Sequence, residues 1–304
     1  MNPFDLQVNG YGGVDFGADD LCGEDLQKIC IALENDGFDS ILATLITDSV
    51  ENLSSKLARL VRLRSENPLA TRLIAGFHVE GPFLNPSAGY IGAHDPTHVT
   101  SASKDDALRL IEASEGRLKL VTLAPECDPG FEAIKAFASQ GVTVSAGHCD
   151  PSLDTLEGAI DSGLRMMTHL GNGCPVNLPR HDNIVQRALS LRERLWICFI
   201  PDGIHIAFFA LKNYLDLVGI DRAIMVTDAI SATGLGPGRH QLSGMTVEVD
   251  ASGAARRPGQ PNLAGSTLAM PQLIDNLRDR IGLDETQIRA LVETNPRAAL
   301  ERVP

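Results

Sequence analysis

Five side chains with metal-binding or proton-transfer chemistry stand in one recurring local context. Glu80 closes the apolar run of LIAGFHVEGPFLN (73–85), His148 follows Val142–Ala146, and His169 ends the run Arg165–His169. His205 lies in DGIH (202–205) after Leu195–Ile200, and Asp228 lies in VTDA (226–229) after Ala223–Val226. Each is set where a short β-type run stops. A carboxylate or imidazole at that point is held by a buried strand and still faces a cavity, which is how an α/β barrel presents catalytic groups.

Imidazole nitrogen with carboxylate oxygen suits zinc, and iron, manganese or nickel are also served. A catalytic zinc takes three protein ligands and keeps one position open, a count that Glu80, His148 and His169 meet. Asp228 and His205 remain. Water acidified by a metal needs a base that takes its proton and later delivers it to a leaving group. Asp228, at the end of the last strand, is the natural choice. For any one of these histidines a satisfied core or turn position is the commoner fate. Three His, one Glu and one Asp, all at strand ends, favour a site.

Eight short apolar runs place these groups: Phe4–Asn9, Ser40–Thr47, Arg72–Val79, Leu118–Leu123, Val142–Ala146, Arg165–His169, Leu195–Ile200 and Ala223–Val226. Their two alternating faces are both apolar, as in parallel strands covered on both sides. Between them lie helical patterns: Leu26–Asn35, Leu53–Leu63, Lys104–Ala113, Phe131–Ser139, Leu153–Ser162, Asn183–Arg192 and Ala207–Val218. Ser152 and Asp182 supply start signals, and Gly141, Gly163 and Gly219 stand at helix-to-strand junctions. Eight such β-then-α units predict an α/β fold, a (β/α)₈ TIM-type barrel, occupying residues 1–304 as one domain. A doubly wound open sheet needs a phosphate-binding glycine motif at its first turn, and Gly10–Gly13 (GYGG) does not match one. After strand eight comes a long insert, 231–265, read as a β-hairpin over the barrel mouth. It has a strand at Thr246–Val249, a turn at Asp250–Gly253 and a Gly/Pro loop at Arg256–Gln260. Helices Thr267–Arg280 and Glu285–Val292 follow.

The chain has 304 residues, 43% hydrophobic and 21% charged, enough to bury a sizeable core. A net charge of −13 argues against nucleic acid or an anionic membrane as partner, and a phosphate-bearing ligand would require local cations. The six cysteines (Cys22, Cys30, Cys127, Cys149, Cys174, Cys198) form no close CxxC pair and suit a reducing compartment; Cys149 and Cys174, beside candidate site residues, could serve as soft ligands but are read as small buried hydrophobes. No signal-like or membrane-length apolar segment is seen, so a cytoplasmic location is expected.

Ten motifs, in order and spacing, carry a resemblance. They are FDLQVNGYGGVDF (4–16), GFHVEGPFLN (76–85), GAH (92–94), TLAPE (122–126), SAGHCD (145–150), THLGN (168–172), DGIH (202–205), VTDA (226–229), LAGST (263–267) and TNP (294–296). From Phe4 to Arg297 the sequence resembles the N-acetylglucosamine-6-phosphate deacetylases of the amidohydrolase superfamily. The resemblance implies Glu80, His148 and His169 as metal ligands and Asp228 as catalytic acid/base. Gln7 and Asn9 stand near the metal, where other amidohydrolases carry a His-x-His pair, which implies one divalent ion per chain. Ala93, His94, Asn172, Gly173 and His205 match positions that hold the sugar and its phosphate. Arg180 matches an arginine that reaches the phosphate in the neighbouring subunit of a homodimer. His205 is also expected to stabilise the oxyanion.

Family members usually carry a small β-sandwich built before the first barrel strand and after the last helix. This sequence starts at the first strand and stops at Glu301-Arg302-Val303-Pro304, so the expectation is a barrel without it. Gly171, Gly173 and Cys174 replace bulkier residues, and His181 follows Arg180. The implied reaction is removal of acetate from N-acetylglucosamine 6-phosphate. Another N-acylated amine or a cyclic amide is the alternative substrate, and a non-catalytic sugar-phosphate-binding barrel is the reading that an intact Asp228 least favours.

Overall fold

In the computed structural model, residues 1–301 are described; Arg302, Val303 and Pro304 of the terminal stretch named above lie outside the described residues. Eight parallel strands form one sheet in sequence order: β1 (Phe4–Val8), β2 (Ser40–Ile46), β3 (Ile74–Glu80), β4 (Leu118–Leu123), β5 (Thr143–Ala146), β6 (Leu164–Met167), β7 (Trp196–Phe199) and β8 (Ala223–Met225). The two ends of the sheet meet. Val8 bridges Ala229 in parallel, and Asn9 N donates to Ala229 O at 2.8 Å. Asp5 crosses the same seam, its Oδ2 accepting from Thr227 N at 3.0 Å and Thr227 Oγ1 at 2.6 Å. Burial pushes the Asp5 carboxyl up to about 7. A TIM-type barrel is thus the observed architecture.

The strands are short because both faces are covered, and the apolar runs are what that double burial requires. Outside lie the helices, buried along the stripes their spacing sets. Helix Gly23–Asn35 buries Leu26, Ile29, Cys30 and Leu33, and helix Val50–Ser65 buries Leu53, Leu57, Leu60 and Val61. Ser152 caps helix Leu153–Asp161, accepting from Thr155 N at 3.1 Å. At Gly163, φ is +118° and a Cβ would come within 2.6 Å of Ala138 Cβ, so a side chain there would not fit.

The structure departs from expectation in several places. Arg72 and Leu73 end a short helix, Pro68–Leu73, rather than starting β3. Asn67 caps that helix, accepting from Ala70 N at 3.0 Å, and Pro68 fills its first turn. Asn183, not Asp182, caps helix Ile184–Ser190, while Asp182 Oδ1 accepts from Arg187 Nε at 2.6 Å. The segment expected as one helix from Thr267 begins at Met270 and turns into a wider π-type helix at Asn276–Ile281. The following helix does the same at Ala290–Thr294, before Asn295–Leu300.

The insert is a three-stranded antiparallel sheet, not a hairpin: β9 (Gly238–Leu242), β10 (Met245–Val249) and β11 (Ala255–Arg256). Arg256, expected in a loop, is in the third strand. The sheet has its own apolar cluster, in which Leu242, Val247, Val249 and Ala255 pack with Ile46 from the end of β2 and with Ile230 and Ala264. That packing seats it over the carboxyl ends of the barrel strands. Among the described residues no helix is long and apolar enough to cross a membrane.

Candidate active site

The strand ends converge on one cavity of about 500 Å³ at the carboxyl face of the barrel. Glu80, His148, His169, His205 and Asp228 all line it. Glu80, the last residue of β3, directs Oε1 toward two imidazoles: His169 Nε2 at 2.9 Å and His148 Nε2 at 3.5 Å. One donor atom from each of these three residues lies within 4.8 Å of the other two. His148 donates from Nδ1 to Tyr90 O at 2.7 Å, which orients the ring and turns Nε2 toward Glu80. Among the described residues His169 Nδ1 is buried with no hydrogen-bond partner. The charges respond accordingly. Burial would raise the Glu80 carboxyl, yet bonds from His148 and His169 hold it well below the usual range, and burial of His169 is outweighed by its bond to Glu80, which raises it. Hard oxygen and imidazole nitrogen, buried, convergent and undersatisfied, fit a divalent metal ion.

Asp228 faces the same cavity. Asn9 Nδ2 donates to its Oδ1 at 2.7 Å. Burial and then the charge of Glu80 push its carboxyl up to about 6. Gln7 Nε2 donates to Glu80 Oε2 at 3.2 Å. The two residues at the expected His-x-His positions therefore serve the ligand carboxylate and the free carboxylate respectively. His205 is held by Asp202: Nδ1 donates to Oδ2 at 2.6 Å, and the backbone N–H groups of Ile204 and His205 donate to Oδ1.

Three of these residues adopt a conformation rare outside glycine. φ is +51° at His148, +28° at His169 and +51° at Asp228. Left-handed backbone at a non-glycine residue costs on the order of 1–3 kcal/mol and persists where surrounding contacts over-determine it. It falls two or three residues past the strand end in each case, at β5, β6 and β8, and all three side chains line the cavity.

The remaining expected residues divide. Ala93, His94, Asn172 and Gly173 line the cavity. His94 goes deeper than a sugar contact requires: its Nε2 is 3.3 Å from His148 Nε2 and 3.8 Å from Glu80 Oε2, and Nδ1 meets Thr47 Oγ1 at 2.8 Å. Burial pushes its imidazole down to about 3. Asn172 Nδ2 donates to His169 O at 3.2 Å, bracing that turn. Gly173, at φ +62°, packs on His148, and a Cβ would lie 2.8 Å from His148 Nδ1. Arg180 is not brought to the cavity of its own chain; it is exposed on the loop beyond Pro175–Leu178. Cys174 lines the cavity, while Cys149 is buried.

Sequence reasoning passed over several contributors. Asp202 was visible as the acid three residues before His205. The Tyr90 carbonyl and Arg256 carry no local signal and arrive by packing, whereas LAGST (263–267) did mark part of the 261–265 segment. Beneath the site a chain of hydroxyls crosses the barrel interior. Ser145 Oγ, Thr168 Oγ1 and Thr122 Oγ1 are linked at 2.6 and 2.8 Å, and Thr122 reaches His78 Nε2 at 2.8 Å.

Known proteins are similar to this chain in sequence and fold. The sequence is 33% identical over 291 residues to N-acetylglucosamine-6-phosphate deacetylase of Caenorhabditis elegans, covering 91% of this chain and 68% of that protein. The chain belongs to the N-acetylglucosamine-6-phosphate deacetylase family. The Bacillus subtilis deacetylase is 30% identical, with 95% of this chain and 72% of the relative covered. Among solved structures, the Mycobacterium smegmatis N-acetyl-D-glucosamine-6-phosphate deacetylase, in complex with N-acetyl-D-glucosamine 6-phosphate, superposes with a TM-score of 0.88 at 29% identity. It covers 98% of this chain and 77% of that one. A scan against protein-family models finds no match. The deacetylase family is metal-dependent, in keeping with the Glu80, His148 and His169 set.

Proposed function

We propose that this protein removes the acetyl group of an N-acetylated amino sugar phosphate, N-acetylglucosamine 6-phosphate before others, with residues 1–304 acting as one catalytic barrel. The observation that carries the reading is the convergence of a buried Glu80–His148–His169 donor set and a separate carboxylate, Asp228, on one cavity in a chain of this family. Glu80, His148 and His169 would hold one divalent ion, zinc by donor type. Such an ion supplies Lewis acidity toward a carbonyl oxygen and makes water a stronger acid.

The chain's own groups do the rest. Asp228, raised to about 6, is largely ionised at neutral pH and takes a proton from water as the water oxygen adds to the acetyl carbon. Asn9 keeps its Oδ1 oriented through that step. His205, braced by Asp202, lines the cavity and is assigned to stabilise the oxygen where negative charge develops. Asp228 then returns its proton to the nitrogen as the C–N bond breaks, which frees acetate and the amine.

Gly173 bears on the alternative of another N-acylated amine or a cyclic amide. The space a larger residue would take there is filled by His148, so this glycine serves the ligand rather than widening the pocket. Gly171 has open space around it and leaves some breadth in acyl or sugar choice. We further infer a twofold homodimer in the cytoplasm, in which the exposed Arg180 reaches the phosphate in the partner's site. Acetate release measured across acetylated amino sugars, with and without a 6-phosphate, tests the function. The highest kcat/KM is expected for N-acetylglucosamine 6-phosphate; turnover confined to unrelated amides would overturn the reading.

A further inference from the structure

Asp5, on β1, is an acid with no exposed surface, and the reaction above does not use it. It does not line the cavity, nor does Thr227, which is also fully buried just past β8. Three donors meet the Asp5 carboxylate. Gln7 N donates to Oδ1 at 3.0 Å, and Thr227 N and Oγ1 donate to Oδ2 at 3.0 and 2.6 Å. Thr227 Oγ1 in turn accepts from Ala229 N at 3.1 Å. Thr227 and Ala229 are therefore both tied to one carboxylate, the first directly and the second through a single hydroxyl. The residue between them is Asp228.

Asp228 adopts φ +51°, and such a backbone persists only where the contacts around it over-determine it. The ties to Asp5 hold the residue before it and the residue after it. Ser266 N, donating to Asp228 O at 2.9 Å, and Asn9 Nδ2, donating to Oδ1 at 2.7 Å, complete the turn. Joining β1 to β8 does not by itself call for an acid, since a carboxylate cut off from water is costly to keep ionised. What an acid supplies here is two acceptor oxygens for donors that arrive from two strands. An amide would offer one oxygen and turn its own N–H groups toward the incoming N–H donors. Gln7 N, on the same strand, fixes the orientation of the carboxylate, and the opposite oxygen then locates Thr227. We propose that Asp5 is a positioning residue for the reaction: through Thr227 it holds Asp228 in the left-handed turn that keeps its carboxylate in the cavity. The kinetic side of the proposal rests on the deacetylase reading, and the structural side rests on geometry alone.

The test uses Asp5→Asn and Thr227→Val in the metal-loaded protein, each alone and each combined with Asp228→Asn. Kinetics are read at about pH 8, above the value of about 7 to which burial raises Asp5. Asp5→Asn should lower kcat ~10–100-fold with KM and metal content unchanged, the loss expected when a reacting group is misplaced by about 1 Å. Thr227→Val removes the hydroxyl and keeps the backbone N–H, so its loss should be smaller, and it carries the test if Asp5→Asn does not fold. In the Asp228→Asn background neither change should lower the residual rate further, because both act through Asp228. A tie that is merely structural would multiply the losses instead. In crystal structures of the single variants, Asp228 should leave its left-handed turn and lose its contact with Asn9. Multiplied losses, kcat unchanged in both variants, or Asp228 undisplaced in both crystal structures would overturn the proposal. If wild type deacetylates no sugar, the functional reading fails, and the crystal structures alone decide whether Asp5 positions Asp228.

Discussion

The floor and the mouth of this cavity are built in opposite ways. Glu80, His148, His169 and Asp228 stand at or just past the carboxyl ends of β3, β5, β6 and β8, buried and locked by bonds to one another, to Tyr90 and to Asn9. The mouth is made by the Pro175–Leu178 loop, the insert sheet and the 261–265 segment, where Val176 is 97% exposed; Arg180, on the same loop, is exposed and does not line the cavity. The difference separates two tasks. Chemistry is assigned to positions that the barrel fixes, and choice of substrate to elements that are packed on it afterwards. Substitutions at the floor should therefore act on all substrates alike, and those at the mouth on particular ones.

The largest expected break is at the free carboxylate of the floor. Asp228→Asn keeps shape and loses the proton acceptor, so kcat should fall by ~10²–10⁴ with metal content unchanged. The pH profile carries the same information. If ionised Asp228 is the base, as proposed, its carboxyl raised to about 6 makes kcat/KM of wild type drop as pH falls through that value. An undiminished Asn variant would move the base elsewhere, with His205 first in line.

A smaller effect tests how the floor is held. Gly173→Ala places a Cβ 2.8 Å from His148 Nδ1, on a backbone at φ +62°. His148 must shift away from the Tyr90 carbonyl, and metal affinity should weaken by ~10–100-fold, as when an outer-shell partner is lost. Metal retained in a competition titration with a chromogenic chelator reads this directly. Wild-type affinity in the alanine variant would mean that the glycine is not required by the ligand.

The smallest signal concerns the mouth between subunits. If Arg180 serves the partner's site, Arg180→Ala and Asp228→Asn dimers are each nearly inactive, but a mixed dimer contains one site with both groups intact. Random mixing at equal amounts makes about half the dimers mixed, so roughly a quarter of sites should recover acetate release. Confirmed subunit exchange with no regained activity would place Arg180 outside the partner's site.

The same division explains what could be read from the sequence. Strands buried on both faces must be apolar, so eight runs marked eight strands, and a polar residue at or just past four of them marked the floor. The Asp202-x-x-His205 spacing was legible too, although its bracing role shows only in the 2.6 Å contact. His94 beside Glu80, the backbone strain at His148, His169 and Asp228, and the ring of Ser145, Thr168 and Thr122 were not legible. Each depends on residues far apart in sequence meeting inside the closed barrel. The third strand of the insert is two residues long and stabilised by a packed cluster rather than by propensity, which is why it reads as loop. Asn67-Pro68 did carry a helix-start signal, outweighed by the apolar residues after it.

The account stands most directly on the claim that one ion held by Glu80, His148 and His169 turns over an acetylated sugar phosphate. Metal-depleted protein should be titrated with zinc alone while acetate release from N-acetylglucosamine 6-phosphate is followed. The account predicts no activity at zero metal, a linear rise, and a plateau at about one ion per chain, with His148→Ala and His169→Ala reaching no such plateau. Full turnover without metal, or a plateau that requires two ions per chain, would contradict it.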